Sequence, residues 1–305
     1  MPGTSQRTVR RLAIASVVAN AGIVVTGGAV RLTASGLGCP TWPRCTSTTL
    51  TPTAEYAAHG IIEFSNRLLT FVLTAVVVAT LVAVVRQRPR RASLVRLAAL
   101  LVLGIPAQAV LGGITVLTGL NPWTVMAHFL LSMVLLAVAV LLVGRCAEGD
   151  GPVIGLVPTA LRQLAYGVLG VVAVTLAVGT VVTGSGPHSG DPKAGRTGFD
   201  PGAVSQLHAD LVMLLIGLSL ALWVALRTAG GPTRAAGLLV LVEGGQALIG
   251  WTQYFTHLPV VLVGAHLAGA CLVLLASCAA VLSLRTRGVL PPSVVPTQPA
   301  ALAAR

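Results

Sequence analysis

Four of the six histidines, His59, His128, His208 and His266, each stand within about two turns of the start of a long apolar run. A lone imidazole in such a run makes a helix-helix hydrogen bond as readily as it binds a metal. Four at one level are a different matter. Facing imidazoles at one depth suit bis-histidine ligation of a haem iron, with the macrocycle standing between helices in an apolar pocket. A zinc site fits less well, because it needs further His, Cys or carboxylate ligands converging on one point. His188 and His257 fall in or beside connecting loops and read as solvated side chains.

A second cluster surrounds the first of these histidines. In HGIIEFSNRLL, residues 59–69, the positions of His59, Glu63 and Asn66 lie on one helical stripe, with Arg67 four residues after Glu63. A carboxyl group inside an apolar span is costly and is kept for function or for a local ion pair, here with Arg67. Arg67 could equally reach a propionate or a carbonyl. Asp210 and Glu243, the other acids within apolar runs, read as structural or proton-path groups.

The elements that must carry these residues follow from composition. Of 305 residues, 55% are hydrophobic and 9% charged, against roughly a quarter charged in soluble domains. Runs long enough to cross a bilayer fall near 12–31, 60–85, 94–117, 123–144, 163–184, 204–226, 235–255 and 259–284. The expected fold is an all-α integral membrane protein of eight transmembrane helices. The first run is long enough to span and lacks a small-residue cleavage site, which argues against a removed signal peptide.

Of 20 basic residues, 15 fall in the termini and connections on one side. Arg31, Arg44, Lys193 and Arg196 fall on the other, and Arg67 lies within a span. Positive residues concentrate in cytoplasmic loops, so both termini are expected in the cytoplasm and the loops 32–58 and 185–203 outside. The net charge of +12 is then largely a topology signal, with some attraction to membrane lipid, and needs no nucleic-acid partner. Residues 145–162 read as a linker between halves and the proline-bearing tail 289–305 as disordered and cytoplasmic.

The chain also repeats itself. QAVLGGITVLTGLNPWTVMAH, from Gln108 to His128, aligns without a gap with QALIGWTQYFTHLPVVLVGAH, from Gln246 to His266. VVTGGAVRLTASG, residues 24–36, is echoed by VVTGSGPHSGD, residues 181–191. Two pseudo-symmetric four-helix bundles, 1–146 and 147–288, are expected, each with a site among its own helices. The halves are chemically unequal, because the second has no acid in register with Glu63. Cys39 and Cys45, in GLGCPTWPRC, lie in the first outside loop, where a disulfide staple or a redox-active pair are both open readings. Cys146, Cys271 and Cys278 read as small apolar residues.

These residues resemble the haem A synthase family. The resemblance is carried by VTGGAVRLTASGLGCPTWPRC (25–45), IEFSNRLLT (62–70), the two Gln-to-His blocks and His208, and it runs from the first span to the last. It implies oxidation of the C8 methyl of haem O to a formyl group, by successive hydroxylations through a gem-diol, to give haem A for terminal oxidases. It implies a resident haem b held by His208 and His266 in the second half, and substrate haem O in the first. Glu63 falls on the catalytic glutamate, and Cys39 with Cys45 on a disulfide pair. Arg31 and Arg67 become propionate candidates, with Arg44 as a third. Implied partners are a haem O synthase as supplier and an electron acceptor, in the cell membrane.

Three positions depart from the family pattern, Ala34, Thr41 and Asn66. The last stands where a histidine facing His128 is usual, and an amide is a poor iron ligand. Either His128 holds the substrate haem alone or His59 supplies the second imidazole, the reading preferred at the level of sequence. Two other classes compete. A dihaem electron carrier would use the same histidines without needing Glu63 in one half only, and a transporter would show interrupted half-helices, which are absent from the sequence pattern.

Overall fold

The computed structural model describes residues 3–288, so the expected cytoplasmic tail at 289–305 lies outside the described residues. Eight helices run in chain order: α1 (Gln6–Leu32), α2 (Ala57–Arg86), α3 (Ala92–Leu117), α4 (Pro122–Ala147), α5 (Thr159–Ser185), α6 (Pro201–Thr228), α7 (Arg234–Phe255) and α8 (Val260–Ser283). All eight are long and apolar enough to span a bilayer. Phe71, Leu241 and Val261, at 73%, 71% and 81% exposure, show what covers them. Apolar side chains this open, on every helix, face lipid rather than water.

Helices outrun the apolar segments where capping chemistry allows. The Ser5 hydroxyl accepts from the Thr8 N–H, so α1 starts before Arg7, Arg10 and Arg11. Asn121 and Asp200 cap α4 and α6 through the N–H groups of Trp123 and Ala203, with a proline as the first helical residue in each case.

Each set of four consecutive helices closes on itself. Helix α1 packs on α2 and α4, and α3 on α2 and α4; α5 packs on α6 and α8, and α7 on α6 and α8. The two sets meet where α4 and α1 lie against α8 and where α4 lies against α5. The α3–α4 and α7–α8 corners share an unusual backbone. Gly119 and Leu120 take φ of 64° and 59°, and His257 and Leu258 take the same two values. In both corners a leucine N–H closes the helix end, from Leu120 to the Thr115 carbonyl and from Leu258 to the Gln253 carbonyl. An offset of 138 relates every one of these pairs, so the repeat extends to left-handed backbone, where a histidine stands in for a glycine at a conformational cost.

The 145–162 segment is more ordered than a linker. Residues 145–147 finish α4 and 159–162 begin α5, while β1 (Ile154–Gly155) pairs antiparallel with β2 (Arg285–Thr286) beyond α8. Arg91 and Arg145 converge on Asp150, at 2.9 and 2.6 Å, and Arg145 also pairs with Glu148 at 3.0 Å. Two arginines that read as topology signals thus also tie this connection to the ends of α3 and α4.

Candidate functional site

At the end of the bundle that carries loops 33–53 and 186–200, Glu63 projects from α2 and is 6% exposed. Its Oε2 accepts the Cys39 N–H at 2.7 Å, and its Oε1 accepts from Arg67 Nη2 at 2.6 Å. Arg67 also donates to the carbonyls of Cys39, Thr41 and Arg44. The carboxylate and guanidinium thus hold loop 33–53 down on α2. Cys39 and Cys45 form a disulfide that closes this loop, and Trp42 packs where any side chain at Gly113 of α3 would have to be. The ion pair read as an alternative for Glu63 exists, and the same carboxylate also accepts the Cys39 N–H through its other oxygen.

The second-half histidines come together. The His208 and His266 rings are 6.3 Å apart between centres, with planes inclined by 70°. Two imidazoles on one metal, at about 2 Å per bond, place ring centres about 6 Å apart. Among the described residues this is the one pair of imidazoles in ring contact. The Nδ1 atoms of His128, His208 and His266 are all buried without a hydrogen-bond partner. Unpaired polar atoms in an apolar bundle are costly, and rings left without protein partners fit a group that binds between them. No cluster of three or more His, Cys, Asp or Glu that could hold a metal ion converges among the described residues.

Each of these histidines rests on a glycine of the preceding helix. A Cβ would meet the ring Cε1 at 3.0 Å from Gly112 to His128, at 3.1 Å from Gly179 to His208 and at 3.2 Å from Gly250 to His266. Gln108 Nε2 donates to the His128 carbonyl at 3.2 Å and Gln246 Nε2 to the His266 carbonyl at 2.7 Å. These glutamines and glycines were not singled out from sequence. The signal was present, because QAVLG and QALIG fall at equivalent places in the gapless repeat.

The other predicted residues are placed as follows. His59 lies exposed near the start of α2, its Nδ1 2.9 Å from the Ser35 hydroxyl, and it is not paired with His128. Asn66 is half-buried, its Oδ1 2.8 Å from the Thr26 hydroxyl of α1. Arg31 donates to the carbonyls of Thr183 and His188 at 3.0 and 2.6 Å, so it clamps the end of α1 to the loop after α5. Arg44 is exposed. Gln206 bonds the exposed Asp210 at 2.7 Å. Glu243 is buried, one oxygen accepting from Ser219 at 2.8 Å and the other unpartnered. His188 is tied to the Leu258 carbonyl rather than free in solvent, at 2.9 Å.

Residues 10–188, more than half of the chain, match a family described as cytochrome oxidase assembly protein, COX15-CtaA. The chain belongs to this family. Its matched segment holds most of α1 and all of α2 to α5, and with them Glu63, Cys39, Cys45 and His128. Two curated relatives are similar to it. The Heme A synthase of Geobacillus kaustophilus (strain HTA426) is 31% identical over 106 residues, 35% of this chain and 32% of that protein. The Heme A synthase of Lysinibacillus sphaericus (strain C3-41) is 30% identical over 156 residues, 49% of this chain and 50% of that protein. The chain thus spans between a third and a half of the length of these relatives. Family membership and eight apolar helices together make this COX15-CtaA chain a multi-pass membrane protein.

Proposed function

We propose that the chain is a haem A synthase, an oxidoreductase that converts the C8 methyl of haem O to a formyl group in the cell membrane, with loops 33–53 and 186–200 outside and both termini in the cytoplasm. The observation that carries this reading is Glu63, a buried carboxylate under a disulfide-closed loop in one half only. The two relatives named Heme A synthase and the cytochrome oxidase assembly family point the same way. The repeat, its shared corner geometry and the parallel packing of α1–α4 and α5–α8 support two pseudo-symmetric halves, 1–146 and 147–288.

In this reading His208 and His266 hold a resident haem b, whose chemistry is one-electron transfer. His128 and the Glu63 wall receive haem O. Oxidising a methyl group to a formyl group with oxygen from water releases four electrons and four protons, so an electron acceptor is required. Positive charge develops beside the ring as electrons leave the methyl carbon, and Glu63 stabilises that charge and takes the proton of the attacking water. Arg67 and the Cys39 N–H fix the carboxylate, and loop 33–53 screens it from bulk solvent. Arg67 and Arg31 remain the candidates for propionates at the rim, with their carbonyl contacts rearranging on binding.

The test is co-expression with a haem O synthase followed by extraction and identification of haems. Haem A in the membranes supports the reading. Haem b alone, with reversible redox change and no haem A, would make the chain a non-catalytic dihaem electron carrier instead.

A further inference from the structure

The two halves differ most at position 66. The motif VVTG at 24–27 of α1 recurs at 181–184 of α5, and α2 lies on α1 as α6 lies on α5. On the α5–α6 side, His208 rests on Gly179 and turns its ring to His266. Gly179 lies six residues before the end of α5, and Thr26 lies six residues before the end of α1. On the α1–α2 side it is Asn66 that reaches this place, accepting from the Thr26 hydroxyl and lying beside Gly27. Where the second half has an imidazole, the first half has an amide too short to take up the space of a ring.

His59 does not fill that space. It precedes Asn66 by seven residues on the same helix, about 10 Å nearer the loop end. Its ring is exposed and bonded to Ser35, and its carbonyl packs where a side chain at Gly38 of the loop would be. It belongs to the loop layer.

We infer that the first half holds a haem iron through His128 alone, leaving the sixth position open on the Asn66 side to a small diatomic, anionic or imidazole ligand. This rests on the proposed reading that the first half takes haem O. An iron with a single histidine accepts such ligands, and the polarity of the facing pocket governs their binding. Asn66 supplies that polarity, since Thr26 donates to its Oδ1 while its Nδ2, beside Gly27, keeps its donors.

The experiment uses the full chain purified after co-expression with a haem O synthase, with haems counted by extraction. In the dithionite-reduced protein, carbon monoxide should bind half of the haem, and the other half should keep its low-spin spectrum. Imidazole should convert the high-spin ferric fraction to low-spin. Asn66→His should abolish carbon monoxide binding, and His59→Ala should leave its stoichiometry unchanged. Two haems per chain with no carbon monoxide binding in the unaltered protein would overturn the inference, as would binding that appears only in His59→Ala. These two results do not depend on whether Asn66→His folds. A preparation with one haem per chain, held by His208 and His266, would instead overturn the reading that the first half takes haem.

Discussion

Across the α5–α8 ring, two imidazoles face each other at 6.3 Å, whereas in the α1–α4 ring His128 has no imidazole in ring contact among the described residues, and α2 carries the amide of Asn66 with the buried carboxylate of Glu63 one turn before it. The scaffold is the same in both: a glycine under each of His128, His208 and His266, a glutamine on the carbonyl of His128 and of His266, one corner geometry. The difference lies in how the polar positions are used. In the proposed reading the second half commits two rings to ligation, which suits a group that stays, and the first half gives up one ligand for an acid and its guanidinium partner, which suits a group that must enter, react and leave.

The comparison breaks most completely at the ring pair. His266→Ala or His208→Ala should remove the resident low-spin haem from purified protein while first-half haem remains extractable; retention of the low-spin spectrum would show that these rings are not its ligands. Next comes Arg67→Leu. It strips the partner from Glu63 and from three loop carbonyls, a loss of about 1–3 kcal/mol given partial exposure of the guanidinium. Haem A formation should fall roughly tenfold or more, with resident haem unchanged.

A smaller effect should follow Gly250→Ala and Gly179→Ala. Each asks a ring to give by a few tenths of an ångström. The low-spin electron-paramagnetic signal should shift with the tilt of the ring. Gly244→Ala, where a Cβ meets nothing within 4 Å, should leave that signal in place.

The smallest effect concerns the connection between the halves. Hydrogen bonding from Arg91, with further help from Ser93 and the nearby Arg145 charge, lowers the Asp150 pKa from 3.8 to about 2. A group depressed in the folded state contributes stability above its unfolded pKa, and loses it as pH falls through the folded value. The connection should therefore loosen between about pH 4 and 2, and Asp150→Asn should cost under about 1 kcal/mol because the side chain is 42% exposed. Hydrogen exchange at residues 148–158 reads both.

The helices and the ring pair were legible because apolar runs of membrane length and histidines recurring in register are strong one-dimensional signals. His208 and His266 are 58 residues apart in the chain, and their like distances from the start of an apolar run put them at one level. The β1–β2 pair was not legible, since two-residue strands have no period to detect. Nor was the Asp150 latch, because a basic residue near a helix end looks the same whether it marks topology or holds an aspartate. His59 shows a related limit. A helical stripe fixes the face of a residue but not whether the chain beyond it has folded into a loop that claims its ring, as Ser35 does.

The most direct test of the division between halves is haem analysis of Glu63→Gln, purified from cells that also express a haem O synthase. The account predicts one equivalent of haem b with an unchanged low-spin spectrum, haem O in the first half, and haem A reduced by about 10²-fold or more. Undiminished haem A, or loss of haem b together with haem A, would contradict it.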